Sequence, residues 1–139
     1  MPLFLYPLIV LASTQLLKLF FESRHGNFSW NHLLSNGGMP SSHSAFAASI
    51  ATISYLTAGL NSLSFAIALS FAMVIIWDAF TTRWQLGYHG NILNKLIKEL
   101  PDKQEYKYPL LNERLGHTIK EVMAGTLWGI VFSLMLWLL

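Results

Sequence analysis

Charge is almost absent from four long stretches of this chain. Residues 3–21, 45–60, 63–77 and 122–139 hold a single charged side chain between them, Lys18. Every other Lys, Arg, Asp and Glu falls in the connections 22–44 and 78–121. The turn Asn61-Ser62 and both ends of the chain carry no side-chain charge. A helical membrane span needs about 20 apolar residues, with about 17 as a lower bound. The first and last runs meet that length, and the middle two meet it only by borrowing polar ends. In lipid every backbone N–H and C=O must be satisfied within the segment, so such runs are helices. The expected architecture is all-α: a polytopic membrane bundle of about four transmembrane helices, formed by residues 1–139 as a single domain.

The sorting of charge also orients the bundle. With four spans, both charged connections lie on one side. The excess of Lys and Arg in them places that side in the cytoplasm, with both termini outside, in the inner membrane of a cell. The first run is preceded by no positive segment and followed by no small-residue cleavage site, so it reads as a retained span and not a leader. Only 12% of the residues are charged, against about 25% in soluble proteins. A net charge of +2 without a basic, aromatic-interleaved patch excludes nucleic acid as a partner. Cysteine is absent, which excludes disulfides and thiolate metal sites.

Between the first two runs sits a polar, glycine-rich turn, Gly37-Gly38-Met39-Pro40-Ser41-Ser42-His43-Ser44. Gly37 and Gly38 allow close backbone approach. Pro40 suits the first turn of a helix. The amides of Ser41, Ser42 and His43 are then free donors at a helix N-terminus, which binds anions, and the two hydroxyls add donors. An ordinary serine-rich cap accounts for Pro40 and the serines but gives His43 no task. Upstream, Gln15, Lys18 and Glu22 share one helical face, which either lines a polar pocket or lets Lys18 and Arg24 reach the membrane interface. His25 and His32 have no partner at metal-ligand spacing, and the small residues of the second run (Ser49, Thr52, Ser54, Thr57 among alanines) suit close helix packing.

The third run ends in Asp78, with Arg83 five residues on. An acid at that depth is costly unless paired or functional. Either Asp78 and Arg83 pair with each other, or Arg83 turns to grip a phosphate. Residues 89–100 place Ile92, Leu93, Leu96, Ile97 and Leu100 on one face, as in an amphipathic helix lying on the leaflet. The linker 101–112 is charged and contains Pro109. Finally, His117 and Glu121 stand at i and i+4, where a carboxylate can hold one ring nitrogen and leave the other free to attack. Thr118 and Glu121 also spell a capping box, a competing use of the same carboxylate.

Taken in order, these segments resemble a known superfamily. Pro40-Ser41-Ser42-His43 resembles the P-S-G-H motif of type 2 phosphatidic acid phosphatases and vanadium haloperoxidases. Gly116-His117-Thr118 with Glu121 resembles that superfamily's third motif. The closer likeness is to its divergent branch of short bacterial and plant membrane proteins. The branch's first hallmark is intact at residues 37–45. Asp78, Ala79, Arg83, Gly87, Leu93 and Asn94 match the second, and Gly116, His117, Thr118, Glu121, Val122 and Gly125 the third. The resemblance implies His117 as nucleophile, Glu121 as its orienting acid and His43 as general acid. It implies a phosphate site at Gly38, Ser41 and Ser42, with Lys18, Arg83, Arg114 and neighbouring Asp78 as further candidates. The departures fall among the cations. Lys18 and Arg24 are one residue closer than the superfamily's K-x6-R-P requires, with no Pro following. Arg114 stands three residues before His117 where the usual spacing is six.

The implied activity is metal-independent hydrolysis of a lipid phosphate monoester or diphosphate through a phosphohistidine, with no cofactor. The competing expectation is a non-catalytic binder or carrier of phosphorylated lipids. The expected partners are a phosphorylated membrane lipid and the bilayer itself. Four spans make a thin bundle, so a homodimer is also expected.

Overall fold

The computed structural model describes residues 1–24, 39–100, 108–111, 113 and 116–139, apart from the side chains of Glu22, Arg24 and Phe80. Among these lie α1 (Leu5–Arg24), α2 (Ser42–Ala58), α3 (Leu63–Phe80), α4 (Thr82–Glu99) and α5 (Ile119–Leu138), with no strand. The all-α expectation holds.

Helix α2 is the hub. Helices α1, α3 and α5 all pack on it, α1 also touches α5, and α3 meets α5 only slightly. The reason lies in its side chains. Its buried positions are Ser42, Ser44, Ala45, Ala47, Ala48, Ser49, Ala51 and Ile53. In lipid there is no hydrophobic gain from joining two apolar helices, so small residues that let backbones approach decide which helices associate.

The α2–α5 contact shows this most directly. A Cβ added at Gly125 would run into the backbone carbonyl oxygen of Ser41, and one at Gly129 into that of Ala45. Four residues further, Ser133 Oγ donates to Ser49 Oγ at 2.7 Å across 84 residues of sequence. The three contacts keep the same offset, so α2 and α5 run parallel and in register. Helix α1 runs antiparallel to α5. The Tyr6 and Trp137 rings lie 5.9 Å apart near one end, and Trp128 Nε1 donates to Ser13 Oγ at 3.1 Å nearer the middle.

The interior is built from small residues and the exterior from large ones. The largest fully buried side chains are Val10, Thr14, Ser41, Ser44, Ser49 and Ser133. On α3, Ala68 and Ala72 are buried while Ile67, Phe71, Met73, Val74 and Trp77 are exposed. Such a surface would be an aggregation liability in water, and it is the stable arrangement in hydrocarbon. The helical stretch Leu63–Glu99, interrupted at Thr81, and the helix Ile119–Leu138 are long and apolar enough to cross a membrane, and Leu5–Phe21 is a shorter apolar helix. The fold is a helical membrane bundle.

One element differs from expectation. The amphipathic helix read over 89–100 begins already at Thr82. Only Thr81 separates it from α3, with its hydroxyl turned back to donate to the carbonyl of Trp77 at 2.6 Å. No proline or glycine intervenes, so α4 starts as soon as the backbone recovers from that single residue. Helix α4 buries Gly87, Gly90 and Asn94 and exposes Leu86, Leu93 and Leu96.

Candidate active site

The start of α2, the end of α3, the start of α4 and the start of α5 converge at one end of the bundle. Each contributes a side chain there, and α1 adds Lys18.

The histidine before α5 is held by its backbone first. The N–H of His117 donates to the carbonyl of Ala79 at 3.1 Å. Gly116, at φ 94°, lies flat against the backbone of Arg83 and Trp84, where a side chain would collide. Positive φ together with this contact restricts the position to glycine. The imidazole is 4% exposed. Its Nδ1 lies 3.3 Å from Glu121 Oε2. The same oxygen accepts the backbone N–H of Thr118 at 2.9 Å, and Glu121 N–H donates to Thr118 Oγ1 at 3.4 Å. The capping box is therefore complete while the carboxylate still faces the ring. The two uses expected to compete share one atom. With the proton on Nδ1 pointing at the carboxylate, Nε2 carries the free lone pair.

Burial pushes the pKa of His117 below the ordinary histidine value. The Lys18 ammonium pushes the same way, while Glu121 pulls it up. Lys18 is 9% exposed on α1, an expensive place for an ammonium without a task or a counter-charge. His43 stands at the start of α2, before the apolar run. Its side chain is exposed, but the protein around its ring lowers its pKa, aided by Arg83 and then Lys18, with Asp78 opposing. Lys18, Arg83 and Asp78 thus lie within electrostatic reach of His43, and Lys18, Glu121 and His43 within reach of His117.

The α2 N-terminus is organised differently from the sequence expectation. Pro40 lies before the helix and not in its first turn, since Ser41 is the cap and the helix begins at Ser42. Ser41 Oγ accepts from the N–H and the hydroxyl of Ser44, at 3.4 and 3.0 Å. The amide of Ser41 is not a free donor, because it donates to the Glu121 carbonyl at 3.0 Å. That bond ties the start of α2 to the first turn of α5. Ser42 is 4% exposed, and its Oγ has no hydrogen-bond partner among the described residues. Buried hydroxyls are seldom left so, and such a group marks a ligand site or stored strain.

Asp78 and Arg83 do pair. Arg83 Nε donates to Asp78 Oδ2 at 2.9 Å, with both side chains about two-fifths exposed (38% and 41%). Gly38 and Arg114 lie outside the described residues, as do His25, His32, the linker 101–107 and the side chains of Glu22 and Arg24. A cleft of about 620 Å³ is lined by Trp84, His117, Thr118, Ile119 and Lys120. An apolar groove sharing Ile119 adjoins it, and a longer one between α3 and α5 shares Ile76 and Thr126 with that groove.

A family model described as "Divergent PAP2 family" matches residues 1–132. The chain belongs to the divergent PAP2 family. It is also 37% identical over 118 residues to an uncharacterized membrane protein of Bacillus subtilis (strain 168), YuiD, covering 77% of this chain and 75% of that one. No solved structure matches. Membership in the divergent PAP2 family agrees with the resemblance read from the three motifs. The motif match includes Ala79 but gives it no task, because it contributes only a carbonyl, which leaves no trace in side-chain chemistry. The bond from Asn91 Nδ2 to Glu113 Oε2 at 2.7 Å joins two residues outside the motifs, and only the i, i+3 spacing of Asn91 with Asn94 hints at a shared face.

Proposed function

We propose that this divergent PAP2 protein is an integral membrane phosphatase acting on a lipid phosphate monoester or diphosphate. His117 Nε2 attacks phosphorus as the bond to the lipid oxygen breaks, and protonated His43 delivers its proton to that oxygen. Water, deprotonated by His43, then attacks the phosphohistidine. The P–N bond breaks, inorganic phosphate leaves and His117 is regenerated. Glu121 holds the Nδ1 proton and stabilises the charge that develops on the ring. The Ser42 hydroxyl, the first free amides of α2, Lys18 and Arg83 stabilise the phosphoryl oxygens.

The observation that carries this reading is the buried His117–Glu121 pair, with Nε2 left free, beside two cations and a second histidine. The lipid part is supported by the grooves leading from the His117 cleft between α3 and α5, whose residues are apolar throughout their length apart from Thr52, Tyr55 and Thr126. The charge distribution supports a multi-pass inner-membrane protein whose site faces the cytoplasm.

One observation favours a second reading, a binder or carrier of phosphorylated lipids. Asp78 occupies the Nε of Arg83, the cation best suited to a phosphoryl transition state. Orthovanadate binding and phosphate release separate the two. Phosphatase activity requires that the purified protein bind vanadate, release phosphate from a lipid phosphate, and lose that release in His117→Ala. Vanadate binding without turnover in the wild type would leave the binder, and equal turnover in His117→Ala would overturn the mechanism.

A further inference from the structure

Leu111 and Glu113, which precede His117, are fastened to α4 by two amide side chains, Asn94 and Asn91. Asn94 Nδ2 donates to the Leu111 carbonyl at 2.9 Å, and Asn94 Oδ1 accepts the Leu111 N–H at 3.0 Å. This paired exchange is how one strand backbone binds another, here performed by a side chain. The second Nδ2 hydrogen reaches Glu113 Oε1 at 2.8 Å, and Asn91 Nδ2 reaches Glu113 Oε2 at 2.7 Å. The carboxyl of Glu113 is held below its usual range chiefly by the hydrogen bonds from Asn94 and Asn91. Asn94 is 4% exposed. Both of its donors and its acceptor are used.

Further along, the same segment touches α4 at its first turn and α3 at its end. Gly116 rests on Arg83 and Trp84, and His117 N–H bonds to Ala79. As the segment proceeds from 111 to 117, its contacts step down the helices from 94 and 91 to 84 and then 79. Helix α4 is thus a splint that fixes the register of the chain entering the site. A slip of one residue would move His117 by roughly 3 Å, as far as a hydrogen bond is long.

We propose that Asn94 is a positioning residue for His117. It locks Leu111 and Glu113 against α4, and so sets how far the imidazole extends over the start of α2. The proposal rests on the reading of His117 as the nucleophile, but its structural part can be measured without turnover. Asn94 touches no reacting group, so its loss acts on the placement of His117 and not on phosphate binding.

The test uses the full chain in nanodiscs, with a water-soluble phosphate monoester as substrate and amide exchange of Leu111 and His117 followed by NMR. In Asn94→Ala, kcat falls about tenfold to a hundredfold, as for a catalytic group displaced by an ångström, while KM stays within about twofold. Both amides exchange about tenfold faster. Asn94→Asp sets two carboxylates against each other and shows the same defect. Adding Glu113→Gln to Asn94→Asp restores a donor between the two positions and recovers part of kcat, because the Leu111 carbonyl still lacks its donor. Should Asn94→Ala not assemble, Asn91→Ala removes only the second donor to Glu113 and shows a smaller change of the same kind. Faster exchange at Leu111 alone, with His117 still protected, would overturn the proposal, as would a rise in KM with unchanged kcat. A wild type that releases no phosphate would sink the reading of His117 as nucleophile, and the exchange rates would still decide whether Asn94 places it.

Discussion

Oε2 of Glu121 faces Nδ1 of His117 at 3.3 Å while accepting the N–H of Thr118 at 2.9 Å. One oxygen thereby caps α5 and selects the tautomer of the ring beside it. The carboxylate cannot swing away from the histidine without also opening the first turn of its own helix.

Glu121→Gln is therefore expected to separate the two duties. The amide oxygen can still accept from Thr118, so thermal unfolding moves little. The uncharged amide no longer stabilises an imidazolium, and kcat falls by about two orders of magnitude. Glu121→Ala loses the same activity and, in addition, about 1 kcal/mol of helix capping. Equal melting temperatures for the two variants would contradict the shared role.

The pH profile of kcat/KM should peak below the ordinary histidine value. His117 must be neutral to attack, and burial together with Lys18 lowers its pKa, which moves the ascending limb to lower pH. In the proposed mechanism His43 must be protonated to serve as acid, and desolvation by the protein around its ring, with Arg83 and then Lys18, lowers its pKa, which moves the descending limb the same way. Lys18→Met relieves both histidines and should shift both limbs towards alkali. A profile unmoved by that change would place Lys18 outside the site.

Asp78→Asn is expected to split binding from proton transfer. Removing the carboxylate releases Arg83 Nε, and vanadate affinity should rise by about threefold to tenfold. Asp78 also raises the pKa of His43, so its loss pulls the descending limb further towards acid. Vanadate titration and the pH profile of one variant test both statements.

Gly129→Ala should weaken the bundle without touching the chemistry directly. The added methyl meets the backbone of Ala45, and overpacking of this kind costs about 1–3 kcal/mol. Ser133→Ala removes only the hydroxyl bond to Ser49, worth about 0.6 kcal/mol in a membrane bundle. Unfolding in detergent should rank the glycine change well above the serine change.

The candidate catalytic residues were legible because chemistry limits which residue types serve phosphoryl transfer. His43, His117 and Glu121 lie in the polar connections, where the motifs around them and the i, i+4 spacing of His117 and Glu121 single them out. Their supports were less visible. Ser41 reads as a phosphate ligand in sequence, and the structure gives it two further bonds that sequence does not show: its Oγ caps α2, and its N–H docks that helix on the Glu121 carbonyl of a distant helix. Gly129 and Ser133 read as ordinary members of an apolar run, and only the register with Ala45 and Ser49 gives them a partner. The sequence places the start of α4 too late because the apolar spacing that marks the helix begins only at Ile92, while a single non-helical position, Thr81, suffices to separate two helices. Spacing along one helix can be read from sequence, whereas the offset between two helices cannot.

The bond from Ser41 N–H to the Glu121 carbonyl has a consequence for biosynthesis. The chain emerges from the ribosome with α1, α2 and α3 first, and with them the serines, Lys18 and His43. His117, the proposed nucleophile, and the acceptor that holds Ser41 arrive only with the last helix. A nascent or C-terminally truncated chain can carry the proposed phosphate cradle but lacks the residue proposed to attack. Under the proposed function, activity begins only when α5 has threaded into the membrane and closed on α2, so completion of insertion and onset of catalysis are one event.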